Sequence, residues 1–298
     1  MRKPYQDIVI PGEQMRSRNI SRRGRSLYNE EKWEKFIEPL LPKDCQGKVF
    51  IELGCAEGLF LRKAKDRGFE RVVGVEANKD AVEWAKRYRN ANGSDYTILH
   101  RKVQIINDAS NVVVNILNST KHRRLTAKEL PAADVVLMSN FHYFLKTKFI
   151  QNLLDVFLRK AVCCIIVSWN TDRIKRKYKS SPSKEAVRRY FKNWKEIKSI
   201  DSKSMYSICF DSGLVRYDLT GTKLRSTRSI DKVRARPEDT RKQIRQARNY
   251  FRILRKSVLQ TGITEPILIN DEGTVVDGRN RIWIEKMRGA GSIIARQV

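Results

Sequence analysis

Short apolar runs alternate along the chain with segments whose apolar residues recur at helical spacing, and the alternation predicts an order of elements. Trp33, Phe36, Ile37, Leu40 and Leu41 mark a helix opening at Asn29 or Glu30; Pro42 stops it and Pro39 distorts its last turn. Residues 49–54 read as a buried strand. A turn hinged on Gly54 and Gly58 follows, then a helix over about 57–67 with Leu59, Phe60 and Ala64 on one face and Gly68 at its end. Residues 71–76 form the next strand and 79–89 the next helix, closed by the turn from Asn90 to Gly93.

A weaker strand at 96–99 precedes a clearer one at 103–108, and 111–130 reads as an exposed insertion carrying Lys121, Arg123 and Arg124. Buried strands fall at 133–140 and 161–168, separated by a helix over about 147–159. A basic loop at 173–179 leads to a helix at 183–193. Residues 204–210 and 214–219, split by Asp211-Ser212-Gly213, then read as a closing antiparallel hairpin. After Gly221 a charged run leads to an amphipathic helix over about 238–260, strands at 266–269 and 274–276, and a helix opened by Asp277-Gly278-Arg279-Asn280-Arg281.

Repeated strand and helix units ending in a hairpin predict an α/β fold with a doubly wound sheet. The chain divides into a basic N-terminal arm (1–30), the sheet domain (31–220), a linker (221–237) and a small C-terminal domain (238–298).

Charge narrows the partner. The 298 residues carry a formal net charge of +28 at pH 7, and residues 171–260 hold 26 Lys and Arg against nine Asp and Glu. A blockwise excess of this kind predicts a polyanionic partner, nucleic acid or a ribonucleoprotein. No apolar run approaches the roughly 20 residues that cross a bilayer. The opening Met1-Arg2-Lys3-Pro4-Tyr5 has no signal-peptide core, so the expectation is a cytoplasmic protein without a membrane partner. Five cysteines, odd in number and without Cys-x-x-Cys spacing, and three histidines predict buried thiols and no metal site.

A glycine turn after one strand and a carboxylate, Glu76, at the tip of the next suit an adenosine-containing cofactor. Backbone N–H groups near Gly54 to Gly58 are approachable because no side chain intervenes at the glycines. The Gly-x-x-x-Gly spacing separates this turn from the Gly-x-Gly-x-x-Gly of nicotinamide-binding folds. Past the strand at 133–140 stands Ser139-Asn140-Phe141-His142-Tyr143. Asn140 can orient an acceptor amine or hydroxyl, His142 can take a proton near neutral pH, and Phe141 or Tyr143 can stack on a planar acceptor. The alternative is that His142 and the aromatics only cap the sheet edge.

On Glu52-Leu53-Gly54-Cys55-Ala56-Glu57-Gly58, which match an acidic-x-Gly-x-x-x-Gly turn, residues 31–220 resemble a class I S-adenosylmethionine-dependent methyltransferase. The resemblance implies a seven-stranded Rossmann-like sheet, S-adenosylmethionine as cofactor, and a cofactor site of Glu52, Gly54, Cys55, Ala56, Gly58, Glu76, Ala77, Asp108, Ser139 and Asn140. Glu52 is then expected beside the amino-acid end of the cofactor. Asp108, ending a third strand, is expected on the adenine amino group. Asn140, His142 and Tyr143 are the catalytic candidates.

Asn140 and Tyr143 also match the Asn-Pro-Pro-Tyr box of amino-methylating nucleic-acid enzymes, but Phe141 and His142 replace both prolines and remove its rigid turn. Ser139-Asn140 stands where ribose 2′-O-methyltransferases carry an aspartate. The acceptor is therefore open between nucleic acid (DNA or RNA), a protein and a small molecule. A nucleotide-dependent nucleic-acid-binding module is the non-enzymatic alternative.

Residues 230–298 resemble the ParB/sulfiredoxin-like fold on Pro266, Gly278 and Arg281. That resemblance implies a small α+β domain with a phosphate or nucleotide at a helix N-terminus, held by Asp277, Gly278, Arg279 and Arg281. The segment has no cysteine, which excludes sulfiredoxin chemistry.

Overall fold

The computed structural model describes residues 4, 6, 8–12, 28–108, 111–117, 130–141, 162–170, 183–203, 205–219, 266–287, 289 and 291–298. The chain forms two compact units, one of Met1–Leu125 with Ala132–Gly213 and one of Thr126–Pro131 with Leu214–Val298. The expected helices at 147–159 and 238–260 and the basic loop at 173–179 lie outside the described residues.

The first unit opens with helix α1 (Tyr28–Lys32), which widens into a π turn (Trp33–Ile37) and tightens into a 3-10 turn (Glu38–Leu40). Pro39, at the start of that last turn, has no N–H to donate and crowds the carbonyl four residues back. The N–H of Glu38 accordingly reaches Trp33 O, one residue further than an α-helix would. The sheet follows with β1 (Val49–Leu53), β2 (Arg71–Glu76), β3 (Thr97–His100), β6 (Ala133–Ser139), β7 (Val162–Asn170), β8 (Lys195–Asp201) and β9 (Met205–Asp211). Among the described residues its order is β3-β2-β1-β6-β7-β9-β8. The first five strands are parallel, and β9 pairs antiparallel with both β7 and β8. Helices α2 (Leu59–Asp66) and α3 (Lys79–Ala91) make the crossovers β1-α2-β2 and β2-α3-β3, and α4 (Lys184–Tyr190) precedes β8. This is the Rossmann-like order, with the strand direction reversing beside β1.

Three expectations are corrected here. The closing antiparallel pair is β8 with β9, not 204–210 with 214–219, because Leu214–Asp218 (β10) joins the sheet of the second unit. Strand β8 is a mostly exposed edge strand of sequence Lys-Glu-Ile-Lys-Ser-Ile-Asp, without the apolar run that marks its neighbours. The residues around 103–108 do not supply the sheet's third strand. They form β4 (Lys102–Asp108), which pairs with β5 (Asn111–Leu117) in a separate two-stranded hairpin, Asp108 opposite Asn111 at its tip. Asp108 is thus not at the carboxyl end of the main sheet, where β3 and His100 stand in register with β2 and Glu76. Part of the N-terminal arm is also more than a basic tail: Ile8 and Ile10 are buried in the same core as Trp33, Ile37, Phe50 and Phe60.

In the second unit β10, β11 (Ile267–Ile269), β12 (Val275–Asp277) and β13 (Ser292–Gln297) form a sheet of order β10-β13-β11-β12, carrying helix α5 (Arg279–Met287). Its core holds Leu219, Ile267, Ile269, Ile282, Ile293 and Ala295. Among the described residues no helix is long and apolar enough to cross a membrane.

Candidate functional site

The site is assembled where β1, β2 and β6 end side by side. Every residue of β1 is buried, and the chain leaves it through Gly54 at φ +78°, Ala56 at φ +48° and Gly58 at φ +83°. These left-handed residues let the backbone double back over the strand ends and enter α2. A side chain on Gly54 would meet the Phe141 ring at 2.6 Å. The segment after β6 therefore lies directly against the glycine turn. On the other side, a side chain on Gly74 of β2 would meet Cys55 Sγ at 2.6 Å and Leu61, so this glycine allows the turn and α2 to seat on the sheet.

Glu76 ties the turn to β2. Its Oε2 accepts from Ala56 N at 2.9 Å, and its Oε1 accepts from Ala77 N at 2.8 Å and Asn78 N at 2.7 Å. A carboxylate has about four lone-pair directions. Three are used by the backbone here, and the remaining capacity lies on Oε2. The carbonyl of Ala77 lies 3.2 Å from His100 Nε2. The side chain of Asn78 caps α3 by accepting from Ala81 N.

The N-terminal segment completes the turn from outside. Gln6 is buried; its N–H donates to Glu57 Oε2 at 2.9 Å, and its side-chain oxygen accepts from Leu59 N, the first residue of α2, also at 2.9 Å. The helix thus receives its cap from a residue 53 positions away. Glu57 and Gln6 were not legible as partners, since nothing in their local sequence marks the pairing.

Glu52 and Lys32 are the electrostatic centre. Glu52 is 1% exposed and Lys32 0%, and neither Glu52 Oε2 nor Lys32 Nζ has a hydrogen-bond partner. Burial holds the Glu52 carboxyl well above the usual carboxylate range; Lys32 offsets this in part and Glu76 adds to it. Burial likewise pulls the Lys32 ammonium down to about 7, against the attraction of Glu52. Burial first, then the nearby Glu52 and Glu76, keep the Cys55 thiol protonated. The acidic turn is matched to a cation: an orphaned buried acceptor and glycine-lined backbone fit the ammonium and adenosyl parts of S-adenosylmethionine.

At the end of β6, Asn140 sits at φ +52° and donates its N–H to Ser168 O at 2.7 Å. Ser139, Ser168 and Ser207 are aligned across β6, β7 and β9, and Ser207 Oγ donates to Ser168 Oγ at 2.7 Å. The structure therefore brings together Glu52, Gly54, Cys55, Ala56, Gly58, Glu76, Ala77, Ser139, Asn140 and Phe141. His142 and Tyr143 lie outside the described residues, and Asp108 stands in the β4-β5 hairpin. Among the described residues no group of three His, Cys, Asp or Glu could hold a metal ion.

In the second unit Gly278, at φ +99°, opens α5, and a side chain there would meet Ile267 Cγ2 at 2.5 Å. Arg281 donates to Pro266 O and to Asp277 Oδ2, so its guanidinium braces the turn between β11, β12 and α5. Nothing is described of the Arg279 side chain.

The model of the family described as "Methyltransferase domain" matches residues 25–195. No curated protein matches the chain. Among solved structures, N-methyltransferase NodS from Bradyrhizobium japonicum WM9 is 12% identical with a TM-score of 0.46 and covers 63% of this chain and 97% of its own. The PH0226 protein from Pyrococcus horikoshii OT3 is 16% identical with a TM-score of 0.44 and covers 65% of this chain and 93% of its own. Magnesium protoporphyrin IX methyltransferase from Synechocystis PCC 6803, solved with bound SAM, is 12% identical with a TM-score of 0.41 and covers 56% of this chain and 71% of its own. With the family match spanning more than half of its length, the chain belongs to this methyltransferase family and is a SAM-dependent methyltransferase with S-adenosylmethionine as its cofactor.

Proposed function

We propose that the enzyme methylates a polyanionic acceptor, nucleic acid in first place. The observation that carries this reading is the net charge of +28, with its concentration of Lys and Arg between 171 and 260. A surface of that sign gathers phosphate-bearing polymers through counterion release. Bound, the cofactor supplies an electrophilic methyl group on a sulfonium. The protein's part is to hold an acceptor in line with it, which can contribute much of the rate.

In this reading Glu52 faces the cofactor's ammonium, the backbone from Gly54 to Gly58 lies along its amino-acid and ribose parts, and Glu76 with Ala77 holds the ribose. A ribose hydroxyl takes the remaining capacity of Glu76 Oε2 and competes with Ala56 N for that oxygen. Ser139 and Asn140 border the acceptor, with Asn140 aimed by its left-handed backbone and Phe141 braced on Gly54. His142 takes the acceptor proton and Tyr143 packs on its ring. Asp108 has no role in this site. The ParB-like reading of the second unit, with Asp277, Gly278, Arg279 and Arg281 on a phosphate or nucleotide, assigns it to holding the same polyanion.

The test is methyl transfer from labelled S-adenosylmethionine to DNA, RNA, protein and small-molecule fractions of a cell extract, joined to a salt titration of binding. The expected result is label in nucleic acid and a linear fall of log affinity with log salt. Label confined to protein or metabolites, or binding indifferent to salt, overturns the nucleic-acid reading.

A further inference from the structure

Alternation along β1 puts Phe50 and Glu52 on one face of the strand. Phe50 meets Trp33 edge-on, with ring centroids 6.5 Å apart, and Trp33 also packs on Phe60 of α2 at 5.8 Å. The residue before Trp33 is Lys32, the last of α1, and the charge coupled to it is Glu52, the residue two beyond Phe50. The two contacts run side by side from the same helix end to the same strand face. Yet the pair is incomplete: both side chains are fully enclosed, opposite in charge, and not hydrogen-bonded to each other or to anything else. Enclosing an ammonium and a carboxylate with open valences costs several kcal/mol each, so a group that satisfies both at once accounts for their presence. That group must carry an anion and a cation a few atoms apart.

We propose that Lys32 is a cofactor-binding residue that holds the α-carboxylate of S-adenosylmethionine while Glu52 holds its α-ammonium, so that the two side chains form a clamp for the zwitterionic end of the cofactor. The inference rests on the cofactor site proposed above and extends it to a residue outside the glycine turn. Lys32 reaches the site from α1, and docking of that helix on β1 is what brings the clamp together. The ligand it selects is an adenosyl compound with an intact amino-acid tail.

Calorimetric titration of three ligands against the full-length protein tests this. S-adenosylhomocysteine carries both charged groups, decarboxylated S-adenosylmethionine lacks the carboxylate, and 5′-methylthioadenosine lacks both. Lys32→Met is expected to weaken S-adenosylhomocysteine about 10- to 150-fold, the range of one hydrogen bond to a charged group. Decarboxylated S-adenosylmethionine and 5′-methylthioadenosine should stay within about twofold, the precision needed to separate them from that loss. Glu52→Gln is expected to weaken both ammonium-bearing ligands and spare 5′-methylthioadenosine. Equal losses for all three ligands with Lys32→Met, or no loss for S-adenosylhomocysteine, overturn the clamp. Should Lys32→Met fail to fold, Lys32→Gln with the same ligand set gives the same decision. Glu76→Ala separates the two levels of the argument: if it leaves 5′-methylthioadenosine binding unchanged, the cofactor site itself is misplaced and the clamp falls with it.

Discussion

Lys32→Met should also change how the cofactor-free fold responds to pH. Lys32 falls from its ordinary 10.5 to about 7 on folding, because burial disfavours the ammonium more than Glu52 favours it. Between those two values the unfolded chain holds a proton that the folded chain has released, so wild-type stability rises with pH across this window. The penalty is complete below about 7 and gone above 10.5. Each pH step inside the window is worth roughly 1.4 kcal/mol, so from pH 7 to pH 9 the wild type should gain roughly 2–3 kcal/mol that the methionine variant does not. Glu52 works in the same direction: without Lys32 its raised pKa rises further, and a raised carboxyl loses stability as pH climbs above 4.5. The variant should therefore be more stable than wild type at pH 7, with the advantage narrowing by about 5–10 °C in Tm by pH 9 for a unit of about 200 residues. Scanning calorimetry of both proteins, stripped of cofactor, at pH 7, 8 and 9 measures this. An advantage that stays constant with pH would show that Lys32 does not titrate there and would refute the reasoning.

Two further substitutions probe the packing that builds each unit. Gly74→Ala drives a methyl into Cys55 Sγ and Leu61 beneath the glycine turn; it should cost about 1–3 kcal/mol by overpacking, and Cys55→Ala in the same chain should recover part of the lost Tm. Gly278→Ala combines φ +99° with a 2.5 Å approach to Ile267. It should remove amide-exchange protection from 267–269 and 292–297 while leaving β1 and β2 protected, and unchanged protection at 267–269 would contradict the close packing seen there.

The cofactor half of the site could be read from the chain because its determinants are local. A buried strand, Gly54, Gly58, a helix, a second buried strand and Glu76 follow one another in a β-α-β unit, and such a unit has one right-handed way to close. The acceptor side was less legible. Ser139 and Asn140 were placed by the end of β6, but the packing of Phe141 on Gly54 joins residues far apart in sequence. Asp108 misled because its strand has the apolar pattern of a sheet strand and pairs with β5. Strand β8 was missed because an exposed edge strand has no need of apolar residues, and β13 because its pattern is short and its partners, β10 and β11, come from separate parts of the chain.

Lys32 shows the same division at a single residue. It lies four positions before Phe36 and beside Trp33, on the border of the apolar stripe of its helix, and there a lysine ordinarily lays its stem on the core with its charge in water. The sequence by itself determined the elements, the order of the parallel strands around β1, and the glycine turn with its two acids, since hydrophobic period and backbone freedom act over a few residues. Only the tertiary structure decided that Gln6 caps α2, that β10 leaves the main sheet for β13, and that Lys32 is enclosed opposite Glu52. Burial and charge pairing are properties of surfaces brought together from distant segments, and no local pattern encodes which surfaces will meet.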